Sequence, residues 1–383
     1  MQNHSGAKVK DTHSFDVAAF LQKLIEIPSC DPPGDESAVA HLVHDSMTAL
    51  GIPSQMDEFL PGRINVLGRV KGRGEKKPLL FSAHLDTTPI GAQDWSFPPF
   101  AGDVVDGHIR GRGASDMKSA VAAFVAAAAD IAGRDTPLAG DIILAFTAGE
   151  SSNCLGAKRF VEQGLQDEIG AFLCGEPSTL DIITVEKAIL WLEAKAVGKI
   201  GHVSGELGIN AISLMAKFLT ELESLTLDLP QHPLLSDPTI NVGRIEGGSA
   251  VNVTPDACRA EVDVRFGPGI EVSEVIHQIE LIMPEGISLE VSDFKPAVEE
   301  NPESEFVSIC KSACRKSTGS DPEVKGVSYY SDGAILLDGI KAPFAIVGPG
   351  YLGMSGQRDE TILVRNLRDS VDIYRRIAEE WLA

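Results

Sequence analysis

The chain has 383 residues, with 33 basic and 55 acidic side chains and a formal net charge of −22, which argues against nucleic acids and anionic membranes as partners. No apolar run is long enough to span a bilayer, and residues 1–13 are polar and lack the apolar segment of a signal peptide. The 6 cysteines form no CxxC pair, so we interpret them as reduced thiols and expect a cytoplasmic protein.

The first part of the chain predicts helices and strands in alternation. Helical apolar spacing covers residues 15–50 and is interrupted by a turn signal at residues 31–34. Apolar runs at residues 79–81 and 142–146 predict buried strands, while residues 117–131 predict a helix and another begins at residue 157. This alternation is typical of a mostly parallel sheet flanked by helices, an α/β fold.

The middle of the chain has a different order of elements. Residues 188–296 predict strand 189–197, helix 208–225, strands 239–245 and 258–266, helix 272–282 and strand 287–291. That order is the split βαβ arrangement of ferredoxin-like α+β domains. The α/β pattern then resumes with helix 305–316, strand 344–347 and helix 365–382. We therefore predict a discontinuous catalytic domain (1–187 and 297–383) and an inserted domain (188–296).

Four residues with metal-binding or acid–base chemistry follow predicted strands of the larger domain: His84, Asp116, Glu150 and Glu176. Ligands of such sheets bind at the carboxyl ends of the strands, so these side chains are expected to lie together. Histidine and carboxylates are suitable ligands for a catalytic metal, with Glu150 as a candidate general base. Asp86 is better placed to hold or polarise His84 than to bind the metal itself.

Longer motifs surround these residues and continue into the inserted domain. They are Ser82-Ala83-His84-Leu85-Asp86-Thr87, Gly111-Arg112-Gly113-Ala114-Ser115-Asp116-Met117-Lys118, Gly175-Glu176-Pro177, Gly198-Lys199-Ile200-Gly201-His202 and Gly247-Gly248-Ser249-Ala250-Val251-Asn252-Val253-Thr254-Pro255-Asp256. From residue 15 to residue 382, the chain resembles the co-catalytic zinc peptidase family of acetylornithine deacetylase, succinyl-diaminopimelate desuccinylase, aminoacylase and glutamate carboxypeptidase.

The resemblance implies a two-metal site. By similarity, His84 and Glu176 would hold one zinc ion, Asp116 would bridge two ions, and Glu150 would be the general base.

The resemblance also implies roles for the inserted domain, which would form the interface of a homodimer. His202 would reach the active site of the partner subunit and stabilise an oxyanion. Asn252 and Arg265 would bind a carboxylate of the small-molecule substrate, because a planar guanidinium matches that group.

Two positions depart from the family pattern, and both belong to the same metal. Where the family has a second acidic residue after the base, this chain has Ser151, and where the family has a C-terminal histidine, it has Gly356. No histidine follows His277, so a shift of register does not restore the ligand. The sequence therefore predicts one ion, zinc or alternatively manganese or cobalt, held by His84, Asp116 and Glu176.

Three functions are compatible with this sequence. The first is a one-metal hydrolase of an amide bond in a carboxylate-bearing substrate, such as an N-acyl amino acid or short peptide. The second is a non-catalytic relative that binds a small carboxylate or acts through its dimer. In the third, Ser151 or the space at Gly356 serves a changed chemistry. The retained Glu150, together with His202 and Arg265, favours the first.

Overall fold

The computed structural model describes residues 15–383, so the polar stretch 1–13 lies outside the described residues. The elements before the inserted domain are listed here with their bounds: α1 (Val17–Glu26), α2 (Ser37–Ala49), β1 (Ser54–Leu60), β2 (Arg63–Val70), β3 (Lys76–His84), β4 (Val104–Val105), β5 (His108–Arg110), α3 (Lys118–Ala132), β6 (Gly140–Thr147), α4 (Leu155–Glu162), a 3-10 turn (Leu165–Glu168), β7 (Ala171–Cys174) and β8 (Ile182–Glu186).

The remaining elements continue the same order. In the middle segment they are β9 (Ala188–Val197), β10 (Gly201–His202), α5 (Ala211–Ser224), β11 (Thr239–Gly247), β12 (Val253–Thr254), β13 (Ala257–Phe266), α6 (Val272–Glu280) and β14 (Ile287–Lys295). The last segment contains β15 (Val298–Glu299), α7 (Glu305–Thr318), β16 (Val324–Val327), α8 (Gly333–Leu336), β17 (Phe344–Ile346), β18 (Thr361–Leu363) and α9 (Val364–Trp381).

The large sheet has the order β1-β2-β6-β3-β7-β17-β8-β15, with β16 paired to β8. Its centre, β6-β3-β7-β17, is parallel, as predicted, whereas its two margins contain antiparallel pairs. One margin is antiparallel because β1 and β2 are joined by a two-residue turn at Pro61 and Gly62, too short for a crossover. Gly62 has a φ of 78° there, a conformation that favours glycine.

The middle segment forms its own four-stranded antiparallel sheet in the order β11-β13-β9-β14. Strands β9 and β11 are separated by β13 and connected through α5, which is the ferredoxin-like arrangement predicted from the sequence. Buried apolar side chains form two separate clusters, one around the large sheet and one between the small sheet and helices α5 and α6. The fold class is an α/β unit carrying an inserted α+β unit.

Helices α1, α3 and α9 pack against one another, α7 packs against α9, and α3 and α7 also contact the large sheet. Helix α3 is almost entirely buried, which explains its alanine-rich composition. Of the helices between residues 15 and 383, none combines the length and apolar character needed to cross a membrane.

Candidate metal centre

Three neighbouring parallel strands bring the candidate site together. Strand β3 lies between β6 and β7, and in this register His84 is opposite Thr147. The apolar residues of these strands are buried on both faces, as expected for the centre of a parallel sheet. Because the strands end at one edge, His84 at the end of β3, Glu150 after β6 and Glu176 after β7 are carried to the same place.

Side-chain atoms of His84, Asp116 and Glu176 converge within 4.8 Å of one another. The Nε2 atom of His84 lies 3.1 Å from Oδ1 of Asp116 and 3.5 Å from Oε1 of Glu176. Asp116 reaches this point from the loop between β5 and α3. One nitrogen and two oxygen donors facing a common point match the ligand set of a catalytic zinc site.

Asp86 organises the site in two ways. Its main-chain oxygen lies 2.8 Å from Nδ1 of His84, and since a carbonyl oxygen only accepts, Nδ1 carries the proton and Nε2 is left free to bind a metal. Its carboxylate lies 3.7 Å from Nδ1 and accepts hydrogen bonds of 3.0 Å from the backbone N–H groups of both Glu150 and Ser151. The aspartate therefore orients the imidazole and also fixes the backbone of the candidate base.

The acidic surroundings change the ionisation of both His84 and Glu150. Burial disfavours the charged imidazole, but the carboxylates of Asp86, Glu176 and Asp116 outweigh it and raise the pKa of His84 well above its usual value. Burial, together with Asp86 and other nearby carboxylates, also raises the pKa of Glu150 well above its usual value. Such a concentration of negative charge favours a bound cation and a glutamate that takes up a proton readily.

Glu360 shapes the loop that presents Asp116. This fully buried carboxylate accepts backbone hydrogen bonds from Gly113, Ser115 and Asp116, at 2.7–3.0 Å. It also pairs with the buried guanidinium of Arg112 at 2.7 Å. This role of Glu360 was not predicted from the sequence, although the acidic pair at residues 359–360 was a visible signal.

Positions 151 and 356 are those at which the sequence predicted that the second set of family ligands is missing. Ser151 donates its backbone N–H to Asp86, and Gly356 has a φ of 70° with open space where a Cβ would lie. Burial alone would raise the pKa of Asp116, but His84 and the nearby side chain of Ser355 hold it below its usual value.

His202 and Asn252 lie together on the inserted domain. Strands β10 and β12 pair antiparallel, and Nδ2 of Asn252 lies 3.1 Å from Nε2 of His202. The other ring nitrogen of His202 is 2.7 Å from Oγ of Ser204. His202 is exposed, and neighbouring Val251 is fully exposed, with a relative accessibility of 102%. Several apolar side chains between residues 200 and 209 are exposed as well, and such a group of exposed apolar side chains is typical of a surface that meets another molecule.

Arg265, the other candidate carboxylate ligand, is held by contacts to both domains. Its Nε and one terminal nitrogen donate to the carboxylate of Asp263 at 2.9 and 3.0 Å, and the second terminal nitrogen donates to the main-chain oxygen of Ser328 at 2.7 Å. Three of its five N–H groups are thus used, which leaves one on each terminal nitrogen. Its hydrogen bonds do not involve the pair formed by His202 and Asn252.

A buried ionic network, which was not predicted from the sequence, supports the segment after Glu150. Arg63 pairs with Asp31 at 2.9 Å and with Glu36 at 2.7 Å. Asp31 also accepts a hydrogen bond of 2.7 Å from Oγ of Ser152. Burial and the nearby Asp86 raise the pKa of Glu36 to about 7, although Arg63 opposes the shift. The only sequence signal here was the turn that begins at Asp31.

Comparisons with known proteins found related sequences and folds. The model of Peptidase family M20/M25/M40 matches residues 80–380. The succinyl-diaminopimelate desuccinylase of Roseobacter denitrificans is 31% identical over 376 residues, covering 92% of this chain and 95% of the relative. The acetylornithine deacetylase of Vibrio vulnificus is 29% identical, covering 96% and 98%. Among solved structures, the M20 family metallo-carboxypeptidase of Sulfolobus solfataricus has a TM-score of 0.77 at 18% identity, covering 95% of this chain and 98% of that one, which shows a shared fold.

Proposed function

Because the chain belongs to peptidase family M20/M25/M40, whose members are metal-dependent hydrolases of amide bonds, we propose that it deacylates a small N-acyl amino acid or cleaves a short peptide, using one divalent ion. The observation that carries this proposal is the convergence of His84, Asp116 and Glu176 beside Glu150. The related desuccinylase and deacetylase both remove acyl groups from amines, which supports a substrate of this kind.

The donor set of His84, Asp116 and Glu176 fits a divalent ion, preferably zinc, with manganese or cobalt as alternatives. The fit rests on the chemistry of the donors, because Nε2 of His84 and two carboxylates face one point, while Nδ1 is held by the main-chain oxygen of Asp86. A divalent ion held there supplies Lewis acidity toward water and toward the amide carbonyl. Ser151 and Gly356 offer poor or no side-chain ligands, which supports one ion in place of two.

In this proposal Glu150 is the general base. Its backbone N–H is fixed by Asp86, and its raised pKa makes it a stronger proton acceptor than a glutamate in water. It would take a proton from the attacking water and later deliver a proton to the leaving amine. The geometry that holds it is independent of any second ion, because the two hydrogen bonds that the Asp86 carboxylate accepts come from backbone N–H groups.

The substrate is proposed to carry a free carboxylate that binds Arg265 and Asn252. Asp263 fixes the guanidinium from one side, and the two N–H groups that remain on the terminal nitrogens can donate to a carboxylate of the substrate. For His202 we propose a role in the active site of a second copy, where it would stabilise the oxyanion. Its exposure, next to fully exposed Val251, supports a homodimer formed by the inserted domain.

A non-catalytic carboxylate-binding protein is the second candidate, and the replacement of both ligands of one metal by Ser151 and Gly356 favours it. Metal content decides between the two. Protein purified without chelator or added metal is expected to contain about one ion per chain by inductively coupled plasma mass spectrometry, and His84→Ala is expected to contain none. A chain without metal would support the binding protein, and two tightly bound ions would contradict the one-metal site.

Measurements of activity test the proposed role of Glu150 as the general base. Glu150→Gln is expected to keep the metal but to lower kcat for N-acetyl or N-succinyl amino acids by about 100-fold or more. The exposed Glu162→Gln on α4 is the matched control and should hydrolyse at the parent rate. Hydrolysis by Glu150→Gln at the parent rate would exclude Glu150 as the base.

A further inference from the structure

Four successive residues after β6 are held by three carboxylates from different parts of the chain. We call residues 149–154 the base loop, because it carries Glu150. The backbone N–H groups of Glu150 and Ser151 donate to Asp86, and Oγ of Ser152 donates to Asp31. These contacts come from the large domain, and they fix the beginning and the middle of the loop.

The last of the four contacts comes from the inserted domain. Nδ2 of Asn153 donates to Oδ1 of Asp293 across 2.9 Å, a hydrogen bond between residues 140 positions apart. Asp293 belongs to β14, the strand by which the chain leaves the inserted domain, and Oδ1 of Asp293 also lies 3.7 Å from Nζ of Lys158 on α4. Asn153 has a φ of 72°, a left-handed conformation in which asparagine is more common than most residues.

A second connection runs through Lys295, which is completely buried. Its Nζ pairs with Asp293 and lies 4.0 Å from the ring centre of Trp191 and 4.7 Å from that of Tyr330. The hydroxyl of Tyr330 in turn donates to the main-chain oxygen of Glu150 across 3.3 Å. A buried ammonium between two aromatic faces and one carboxylate is fixed tightly, so this cluster holds Asp293 and Tyr330 in place.

We infer that Asp293 and Tyr330 are positioning residues through which the inserted domain holds the base loop in its working orientation. Both ends of the connection reach residues next to the reacting group: Asp293 acts through Asn153, and Tyr330 acts on Glu150 itself. If the inserted domain moves away from α4, Asn153 loses a charged hydrogen-bond partner. The orientation of Glu150 therefore depends on the position of the inserted domain. The inference rests on the proposed role of Glu150 as the base.

The contact between Asn153 and Asp293 is tested by Asp293→Asn, with Glu290→Gln as the matched control on the same strand. Glu290 is exposed and pairs with Lys195, away from the base loop. Asp293→Asn is expected to speed amide hydrogen exchange in residues 149–154 and to lower kcat by about 10- to 100-fold, with KM and metal content unchanged. Glu290→Gln should leave exchange in the base loop and kcat as in the parent protein.

Two further variants remove the partners of these contacts and keep Asp293, so Lys295 retains its counter-ion. Asn153→Gly removes the side-chain amide while its backbone tolerates the positive φ. Tyr330→Phe removes the hydroxyl but keeps the ring against Lys295. Each is expected to show faster amide hydrogen exchange in the base loop and a lower kcat. The double variant should lower kcat by less than the product of the two separate factors, because both side chains hold the same loop.

Parent-like exchange in the base loop of both Asp293→Asn and Asn153→Gly would overturn the inference. Faster exchange with an unchanged kcat would also overturn it, because the contacts would then order the loop without positioning the base. The proposed function fails separately, if Glu150→Gln still hydrolyses at the parent rate. The exchange measurement needs no substrate, so it tests the inserted domain's hold on the loop whatever the reaction proves to be.

Discussion

The carboxylate of Glu360 accepts a hydrogen bond from the backbone N–H of Asp116 across 2.9 Å. These two residues are 244 positions apart, so a residue near the C-terminus determines the shape of the loop that presents a candidate metal ligand. A ligand on a loop is only as well oriented as the loop itself, and groups that orient ligands commonly change metal affinity by 10- to 100-fold. Glu360 is therefore expected to control metal binding without touching the ion.

Glu360→Gln tests this expectation. Its amide NH₂ would face backbone N–H groups that need an acceptor, and Arg112 would lose its buried counter-ion. Metal affinity, measured by competition with a chromogenic chelator, is expected to fall by about 10- to 100-fold. The partly exposed Glu380→Gln on α9 is the control and should bind metal as the parent does. Parent affinity in a folded Glu360→Gln protein would contradict the role.

The central parallel strands and the candidate ligands at their ends could be predicted from the sequence. Strands β3, β6 and β7 are buried on both faces, so they appear in the sequence as continuous apolar runs, and the polar residue that ends each run is easily seen. The ferredoxin-like order of the inserted domain was predicted for a similar reason. Its longer strands and helices have clear periodicity, as in the alternating burial of β9 and β13.

The polar contacts that support the site could not be predicted in the same way. Glu360, Arg63 and Asp293 act on loops, through hydrogen bonds to backbone groups or to side chains far away in the chain. Such contacts leave no periodic pattern, because they depend on how distant segments meet after folding. Short antiparallel strands such as β15, with two residues, were missed because so few residues give no usable pattern.

Restoring the second ligand pair is expected to restore a second ion. Ser151→Glu supplies a carboxylate and Gly356→His an imidazole, and a Cβ at Gly356 would meet no other atom within 4 Å. The φ of 70° at Gly356 costs a side chain about 1 kcal/mol, so the double variant should fold. Mass spectrometry of metal content should give about two ions per chain for this variant and about one for the parent. The neutral control, Ser151→Gln with Gly356→His, should stay near one.

Glu186 should make the stability of the fold depend on pH. Burial raises its pKa to about 8, against the lowering effect of Ser331. Glu186 has a pKa near 4.5 in the unfolded chain. Below that pH its carboxyl is protonated in both the folded and the unfolded state, so no charge is buried on folding. As the pH rises toward 8 the unfolded carboxyl ionises first, so stability is lost across this window. Glu186→Gln does not titrate, so its melting temperature relative to the parent should rise by several degrees between about pH 5 and pH 9. A constant difference would contradict the raised pKa.

Mixed dimers test whether His202 acts in the partner subunit. Its side chain is exposed and hydrogen bonds Asn252, as expected for a residue that completes a site elsewhere. Glu150→Gln and His202→Ala should each be nearly inactive while retaining metal. If His202 acts in trans, a dimer with one chain of each type contains one site with an intact Glu150 and an intact His202. Unfolding and refolding the two variants together should then recover about a quarter of the parent activity, because half of the dimers are mixed and each has one working site. Recovery of no activity, from a mixture shown by mass to contain mixed dimers, would place His202 in its own chain's site or outside the reaction.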